Sequence, residues 1–329
     1  MRLVSVDIGN GYTKAKSSTK EVLFPSVGAL EQGALRFDGI IGDNALIIEH
    51  NGQRWAIGED AYIVGRMQVV EMGRARIEDA NYLRLYLTAI GQVVSQADEL
   101  SIIASLPVAW YTGDSEAARR RLSGEFQFTL QGRERHYYID PARCHIVPEG
   151  FGALCQVVLG QAGQIVNSEI GRRKIGVVDI GTRTTDLLFF EDMKFYPVLS
   201  EGLENVGIGT LWTLVGEIIN QRWGRSLSVY EIDQAIHTRA FQDGASDRDI
   251  ADIVDNAVSV LAESITAKIK SLWDSGRACQ HIIITGGAAA LVGYCLPFEH
   301  KTILPGGWFA NCDGAYRFGL LRRFDNGAR

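Results

Sequence analysis

The stretch Ile175-Gly176-Val177-Val178-Asp179-Ile180-Gly181-Thr182-Arg183-Thr184-Thr185-Asp186-Leu187-Leu188 ends one apolar run at an acid, turns through a glycine and threonines, and starts another. That order predicts a strand, a tight turn and a second strand, with backbone amides and small hydroxyls at the tip. Such a turn can wrap a phosphate, because glycine lets the backbone approach closely and successive N–H groups form an anion-binding concavity. Asp179, at the end of the first strand, is placed to hold a hydrated divalent cation on that phosphate. Thr182, Thr184 and Thr185 read either as phosphate donors or as ordinary β-branched residues at a strand end.

The start of the chain repeats this pattern. Val4-Ser5-Val6-Asp7-Ile8-Gly9-Asn10-Gly11-Tyr12-Thr13-Lys14 aligns on Asp7 and Asp179, and Val6/Val178, Ile8/Ile180, Gly9/Gly181 and Thr13/Thr185 then coincide. One Asp-x-Gly hairpin says little, since such turns are common in antiparallel sheets. Two copies, each on an apolar strand, point to a duplicated unit with two facing phosphate hairpins. Lys14 is either a point charge for terminal phosphates or a solvent-facing strand lysine.

A chain of 329 residues has room for two domains with separate cores. Hydrophobic content of 46% and charged content of 22% fit a soluble globular protein. The net charge of −6 argues against a broadly basic nucleic-acid surface. No apolar run approaches the roughly 20 residues that cross a bilayer, and the N-terminus enters a strand with no signal-peptide pattern. Cys144, Cys155, Cys279, Cys295 and Cys312 are scattered, form no Cys-x-x-Cys pair and suit a reducing, cytoplasmic setting.

Periodicity predicts a meander of Leu3–Asp7, Tyr12–Ser17 and Glu21–Pro25, then a Gly-rich section over 28–77 that reads as a smaller outer subdomain. A helix over Glu78–Ala97, a strand Leu100–Leu106, a short helix Ser115–Leu122, a hairpin of Phe126–Leu130 with Arg135–Ile139, a strand Cys144–Val147 and a helix Phe151–Leu159 follow. The polar residues 160–174 are the candidate boundary. The second half opens with a meander over 175–198 and a turn at Asn205–Gly209. Helices are predicted over Leu211–Trp223, Val229–Ala240 and Ile253–Trp273, with residues 241–252 solvated. A strand His281–Ile284 leads into a helix, and Asp313–Phe324 is the closing helix. The class is α/β in two similar halves, each a sheet with helices.

Gly286, Gly287 and Ala288 stand where that strand gives way to a helix, a place either for a ligand against the backbone or for simple turn chemistry. Gly207 and Gly209 invite the same two readings. Glu149 follows Pro148 at a helix entrance. It is either a favourable charge at the helix dipole or a carboxylate that orients or deprotonates an attacking water.

Asp7 through Lys14 resembles the first phosphate motif of the actin, sugar-kinase and heat-shock ATPase superfamily, and Asp179 through Asp186 resembles its second. Ile282-Ile283-Ile284-Thr285-Gly286-Gly287-Ala288-Ala289 is similar to the adenosine motif. Pro148-Glu149-Gly150-Phe151-Gly152-Ala153 and Gly314-Ala315-Tyr316-Arg317-Phe318-Gly319 are similar to the two connecting helices. The motifs stand in family order across nearly the whole chain. Within the superfamily the wording is most similar to prokaryotic actin-like proteins, namely the ParM/StbA-type plasmid-segregation actins and their archaeal relatives.

The resemblance implies the actin-like ATPase fold: two similar lobes, each a mixed sheet flanked by helices, closing over ATP or GTP with Mg²⁺ in a cleft. Residues 1–150 would form lobe I, with the C-terminal helix 313–329 returning to it. Residues 151–312 would form lobe II, with an outer subdomain over about 205–255. Asp7 and Asp179 would hold the metal through water and act in catalysis with Glu149, which positions the hydrolytic water. Gly9, Asn10, Gly11, Tyr12, Lys14, Gly181, Thr182, Arg183 and Thr184 would contact phosphates. Gly286, Gly287 and Ala288 would lie against the nucleoside, with Gly207 and Gly209 nearby. Arg183 departs from the pattern, since many relatives carry glycine or another small residue there. It points outward or reaches a phosphate.

The function implied is a nucleotide triphosphatase that polymerises head-to-tail with copies of itself when nucleotide is bound and disassembles after hydrolysis, moving plasmid DNA through a DNA-bound adaptor protein. The alternatives within the superfamily are a non-polymerising ATP-dependent regulator or scaffold, and a small-molecule kinase.

Overall fold

In the computed structural model of the chain the described residues are 2–31, 45–64, 67–69, 74–95 and 99–322. Parts of the expected outer subdomain over 28–77, and the expected helix ends at Ala97 and Phe324, lie outside them. The chain folds as two compact units. One takes the residues up to Ser168 together with those from Phe309 onward, and the other is Glu169–Trp308.

The strands of the first unit are β1 (Arg2–Ile8), β2 (Tyr12–Lys16), β3 (Glu21–Pro25), β4 (Val27–Leu30), β5 (Ile47–His50), β6 (Gln53–Ile57), β7 (Met67–Val69), β8 (Glu99–Leu106), β9 (Gly124–Leu130) and β10 (Arg133–Pro148). They form one sheet in the order β3-β2-β1-β8-β10-β9-β5-β6-β4-β7. β1 is buried from Leu3 to Ile8, as a central strand covered on both faces must be, so its sequence reads as a continuous apolar run. It pairs antiparallel with β2 and parallel with β8, which runs parallel to β10. The strands of residues 28–77 do not stand apart. They continue this sheet through the pairing of β5 with β9.

Helices α1 (Glu59–Val64), α2 (Ala80–Val93), α3 (Val108–Arg121) and α4 (Phe151–Val158) belong to the same unit. Asp79 starts α2 by accepting the Asn81 amide at 2.7 Å. α3 begins directly after Pro107 rather than at the expected Ser115. Its first turns bury only Val108, so they carry no apolar period to read. The expected hairpin arm Arg135–Ile139 and the expected strand Cys144–Val147 are one strand, β10, with an irregular register between Ile139 and Cys144. Pro141 has no N–H to give there, and the Ala142 amide turns back to Asp140 Oδ1 at 2.8 Å.

In the second unit β11 (Lys174–Ile180), β12 (Thr184–Glu191) and β13 (Lys194–Phe195) form the meander, with β14 (Glu201–Glu204) also on β12. β15 (Ala240–Asp243) and β16 (Ser246–Asp249) form a separate hairpin, and β17 (His281–Thr285) and β18 (Lys301–Ile303) complete the main sheet in the order β13-β12-β11-β17-β18. The stretch expected to be solvated over 241–252 is exposed at Gln242 and from Gly244 to Asp249, but it forms the β15–β16 hairpin rather than an unstructured segment. It is anchored by Phe241, whose ring packs on Trp223 at 5.2 Å. The helices, continuing the numbering, are α5 (Ser168–Gly171), α6 (Ile208–Trp223), α7 (Val229–Thr238), α8 (Ala251–Leu272), α9 (Ala289–Val292) and α10 (Gly307–Leu321). α8 buries an i, i+3, i+4 stripe from Ile253 to Ile269, and Ser228 with Glu231 forms a capping box at the start of α7.

α4, expected to open the second lobe, lies in the first unit, and from Phe309 onward α10 does too. Ser5 Oγ donates to Cys312 O at 2.8 Å, Lys16 pairs with Asp313 at 2.7 Å and Arg317 donates to Leu159 O at 2.8 Å.

Candidate functional site

The β1–β2 hairpin closes with Ile8 opposite Thr13 and Asp7 opposite Lys14, and the Gly9 amide donates to Tyr12 O at 3.1 Å. Asp7 is 3% exposed. Its Oδ1 accepts from Ser105 Oγ of β8 at 2.7 Å and its Oδ2 from Lys14 at 2.9 Å. Lys14 is thus not a free strand lysine but the cross-strand partner of the acid. The loop is backed by Ser26, whose amide donates to Gly11 O at 2.9 Å and whose hydroxyl meets Thr13 Oγ1 at 2.9 Å.

Arg76, in the turn before α2, donates to Ile8 O. Glu149 directly follows β10, with its amide on Leu106 O at 2.7 Å. Gly150 follows at φ 91°, a left-handed conformation that glycine adopts without strain, and its amide donates to Asn311 Oδ1 at 3.0 Å. The Tyr82 phenol gathers this chemistry. Burial pushes its pKa up to about 12, Arg76 opposes the shift, and the carboxylates of Glu149 and Asp7 add to it.

The β11–β12 hairpin has the same register. Ile180 lies opposite Thr185, Asp179 opposite Asp186, and the Gly181 amide donates to Thr184 O at 2.9 Å. Where the first hairpin sets a lysine across from its acid, the second sets another carboxylate, and both Asp179 and Asp186 are buried. The tip carries Thr182, Arg183 and Thr184, each partly exposed.

The glycine turns converge on this tip from behind. The Gly209 amide donates to Thr182 O at 2.8 Å and the Ile208 amide to Gly181 O at 3.1 Å. A Cβ on Gly207 would lie 2.7 Å from Gly181 O. Gly286, at φ +94°, passes so close that a Cβ would lie 2.3 Å from Ile180 O and 2.6 Å from Asp179 Oδ1. The Ala288 amide donates to Ile180 O at 3.1 Å. Gly207, Gly286 and Ala288 therefore shape the hairpin, whereas Gly287 is exposed with open space where a side chain would stand. Beside Gly209, a cavity of about 470 Å³ is lined by Trp212, Thr213, Gly216 and Glu217 of α6 and Ile232 of α7.

Among the described residues no group of three or more His, Cys, Asp or Glu side chains could hold a metal directly. A magnesium ion that keeps its waters and takes phosphate as a further ligand would not need such a group. Asp7, with both oxygens already accepting protein hydrogen bonds, suits an outer-sphere role in that arrangement.

Residues 5–152 match the N-terminal domain model of the actin-like proteins, and residues 177–297 match the C-terminal model of the archaeal actin homologue, MreB-like, family. An archaeal actin homologue solved by crystallography superposes with a TM-score of 0.81 at 22% identity, over 98% of this chain and 100% of that one. The chain has the actin-like fold.

A ParM subunit from a 15-stranded Clostridium botulinum filament gives a TM-score of 0.75 at 19% identity, over 97% of this actin-like chain and 98% of that one. Bacillus thuringiensis ParM with ATP gives 0.72 at 16%, over 98% and 99%. No curated protein matches by sequence. Sequence reading of the actin-like site missed Arg76, Ser105 and Asn311, and gave Asp186 no role. Asp186 was within reach, since it occupies the Lys14 position when the hairpins are aligned. The others come from distant segments that no motif spacing marks.

Proposed function

We propose that this actin-like protein is a nucleotide triphosphatase whose head-to-tail assembly depends on bound nucleotide. The observation that carries the reading is the duplicated hairpin, with the same register and a buried acid at its base in each half of the chain. Each hairpin presents backbone and small polar groups to phosphate oxygens, Lys14 adds a point charge, and Asp7 and Asp179 are the acids that would hold a hydrated magnesium ion through its waters. The ion, when bound, neutralises charge on the phosphates. Glu149 orients or deprotonates the attacking water. The cavity beside Gly209 is continuous in sequence with the turn on the second hairpin, and offers room for the sugar and base of ATP or GTP.

A ParM relative forms a filament and another was solved with ATP. A heterologous interface repeated without closure gives such a filament, and a nucleotide that biases one conformation makes assembly conditional. The cellular role in this reading is plasmid DNA segregation in the cytoplasm. A net charge of −6 disfavours direct broad binding to DNA, so a DNA-bound adaptor protein carries that contact.

Light scattering tests the proposal. The signal should rise on adding ATP or GTP with Mg²⁺, stay flat with either component alone, and decay as phosphate is released. Steady phosphate release at constant scattering would turn the reading to a non-polymerising regulator.

A further inference from the structure

The two hairpins share a register but differ in what holds the carbonyl at the strand end. In the second, Ile180 O accepts the neutral backbone amide of Ala288 at 3.1 Å. In the first, the matching Ile8 O accepts from the guanidinium of Arg76. Arg76 is 1% exposed. Its guanidinium lies 5.3 Å from the Tyr82 ring centroid and 5.4 Å from that of Trp110. Its buried Nε has no hydrogen-bond partner among the described residues.

The peptide unit joining Ile8 to Gly9 is thereby held at both ends, the carbonyl by Arg76 and the amide by Tyr12 O at 3.1 Å. Stability alone is a poor reason for an arginine here, because a well-packed apolar side chain of similar volume generally costs less to bury than an ionised one. The charges suggest a better reason. Asp7 and Glu149 both act on Tyr82, as Arg76 does. Two carboxylates would repel an incoming polyphosphate. Lys14 offsets Asp7 at 2.9 Å, and the Arg76 guanidinium, a group that stays protonated in proteins, adds a second positive charge on the Ile8 carbonyl at the base of the hairpin.

We propose that Arg76 is a positioning residue for the first phosphate hairpin, fixing the Ile8–Gly9 peptide and supplying the permanent positive charge that lets the Gly9–Tyr12 loop accept a polyphosphate. The proposal rests on the reading of that hairpin as a nucleotide site.

The test compares ATP–Mg²⁺ affinity by calorimetry and the melting temperature in the wild type, Arg76→Met and Arg76→Ala. Arg76→Met should keep a melting temperature close to that of the wild type and bind about tenfold to a hundredfold more weakly, the loss typical of a charge-assisted hydrogen bond. Methylguanidinium should restore binding to Arg76→Ala where sodium chloride at equal concentration does not. Wild-type affinity in Arg76→Met overturns the proposal. So does a weakening that tracks a fall in melting temperature and does not respond to methylguanidinium, since that marks a purely structural role. A wild-type protein that binds neither ATP nor GTP overturns the nucleotide reading as well, which separates the two failures.

Discussion

Gly286 shows how a single residue decides the second hairpin. At φ +94° an L side chain is already strained, and its Cβ would sit 2.3 Å from Ile180 O and 2.6 Å from Asp179 Oδ1, closer than atoms tolerate. Gly286→Ala should therefore destabilise the protein by about 1–3 kcal/mol and move the Asp179 carboxylate, weakening magnesium–nucleotide binding. The neighbouring Gly287 is the control, since a Cβ there meets nothing within 4 Å. Gly287→Ala should change stability by no more than about 0.5 kcal/mol. Chemical unfolding of the two variants decides the matter. Equal stabilities would mean that the loop after β17 relaxes freely and that the close approach has no role.

At the scale of elements, α4 and α10 cross with no room for side chains. A Cβ on Gly152 would lie 2.0 Å from Asn311 O, and one on Gly314 would lie 1.7 Å from Gly152 O. Gly314→Ala should force the helices apart and cost about 3 kcal/mol in a denaturant titration, and an unchanged midpoint would contradict the contact. Beside this crossing, Asp313 meets Lys16 at 2.7 Å and Arg317 at 2.6 Å, and accepts from Gln156 at 3.0 Å. Burial alone would raise the Asp313 pKa, but Lys16, Gln156 and Arg317 outweigh it and hold the carboxyl below its usual value. A lowered folded-state pKa gives stability that is present above the unfolded value, near about 4, and is lost as pH falls through the folded one. Asp313→Asn should flatten that acid limb while leaving the fold intact at neutral pH, as melts from pH 7 downward would show.

The meanders and hairpins were legible in the sequence because everything that defines them is local: an apolar strand, an acid, a glycine, a second strand. What was not legible depends on tertiary partners. β10 reads as two pieces because Pro141 interrupts its ladder, and α3 hides its first turns because few of their residues are buried. Arg76 carries no signal at all, since an arginine in a polar turn is ordinarily exposed, and it is the Ile8 carbonyl and the rings of Tyr82 and Trp110 that hold it inside.

At the scale of the whole molecule, the proposed function ties chemistry at one residue to the lifetime of an assembly. Glu149 has its backbone fixed on both sides, by the bond from its amide to Leu106 O at 2.7 Å and by the Gly150 amide on Asn311 Oδ1 at 3.0 Å. A carboxylate carried on a backbone anchored in this way suits a water-orienting role, which is typically worth about 10²–10⁴ in rate. It makes no strand pairing that truncation would break. Glu149→Ala should then bind nucleotide like the wild type and give the same initial rise in scattering with ATP and Mg²⁺. Phosphate release should slow by about a hundredfold or more, and the scattering should decay more slowly in the same proportion. Decay at the wild-type rate despite slowed release would separate disassembly from hydrolysis, and unchanged release would remove Glu149 from the chemistry. Coupled slowing of both is the outcome that ties the acid between β10 and α4 to the life of the polymer.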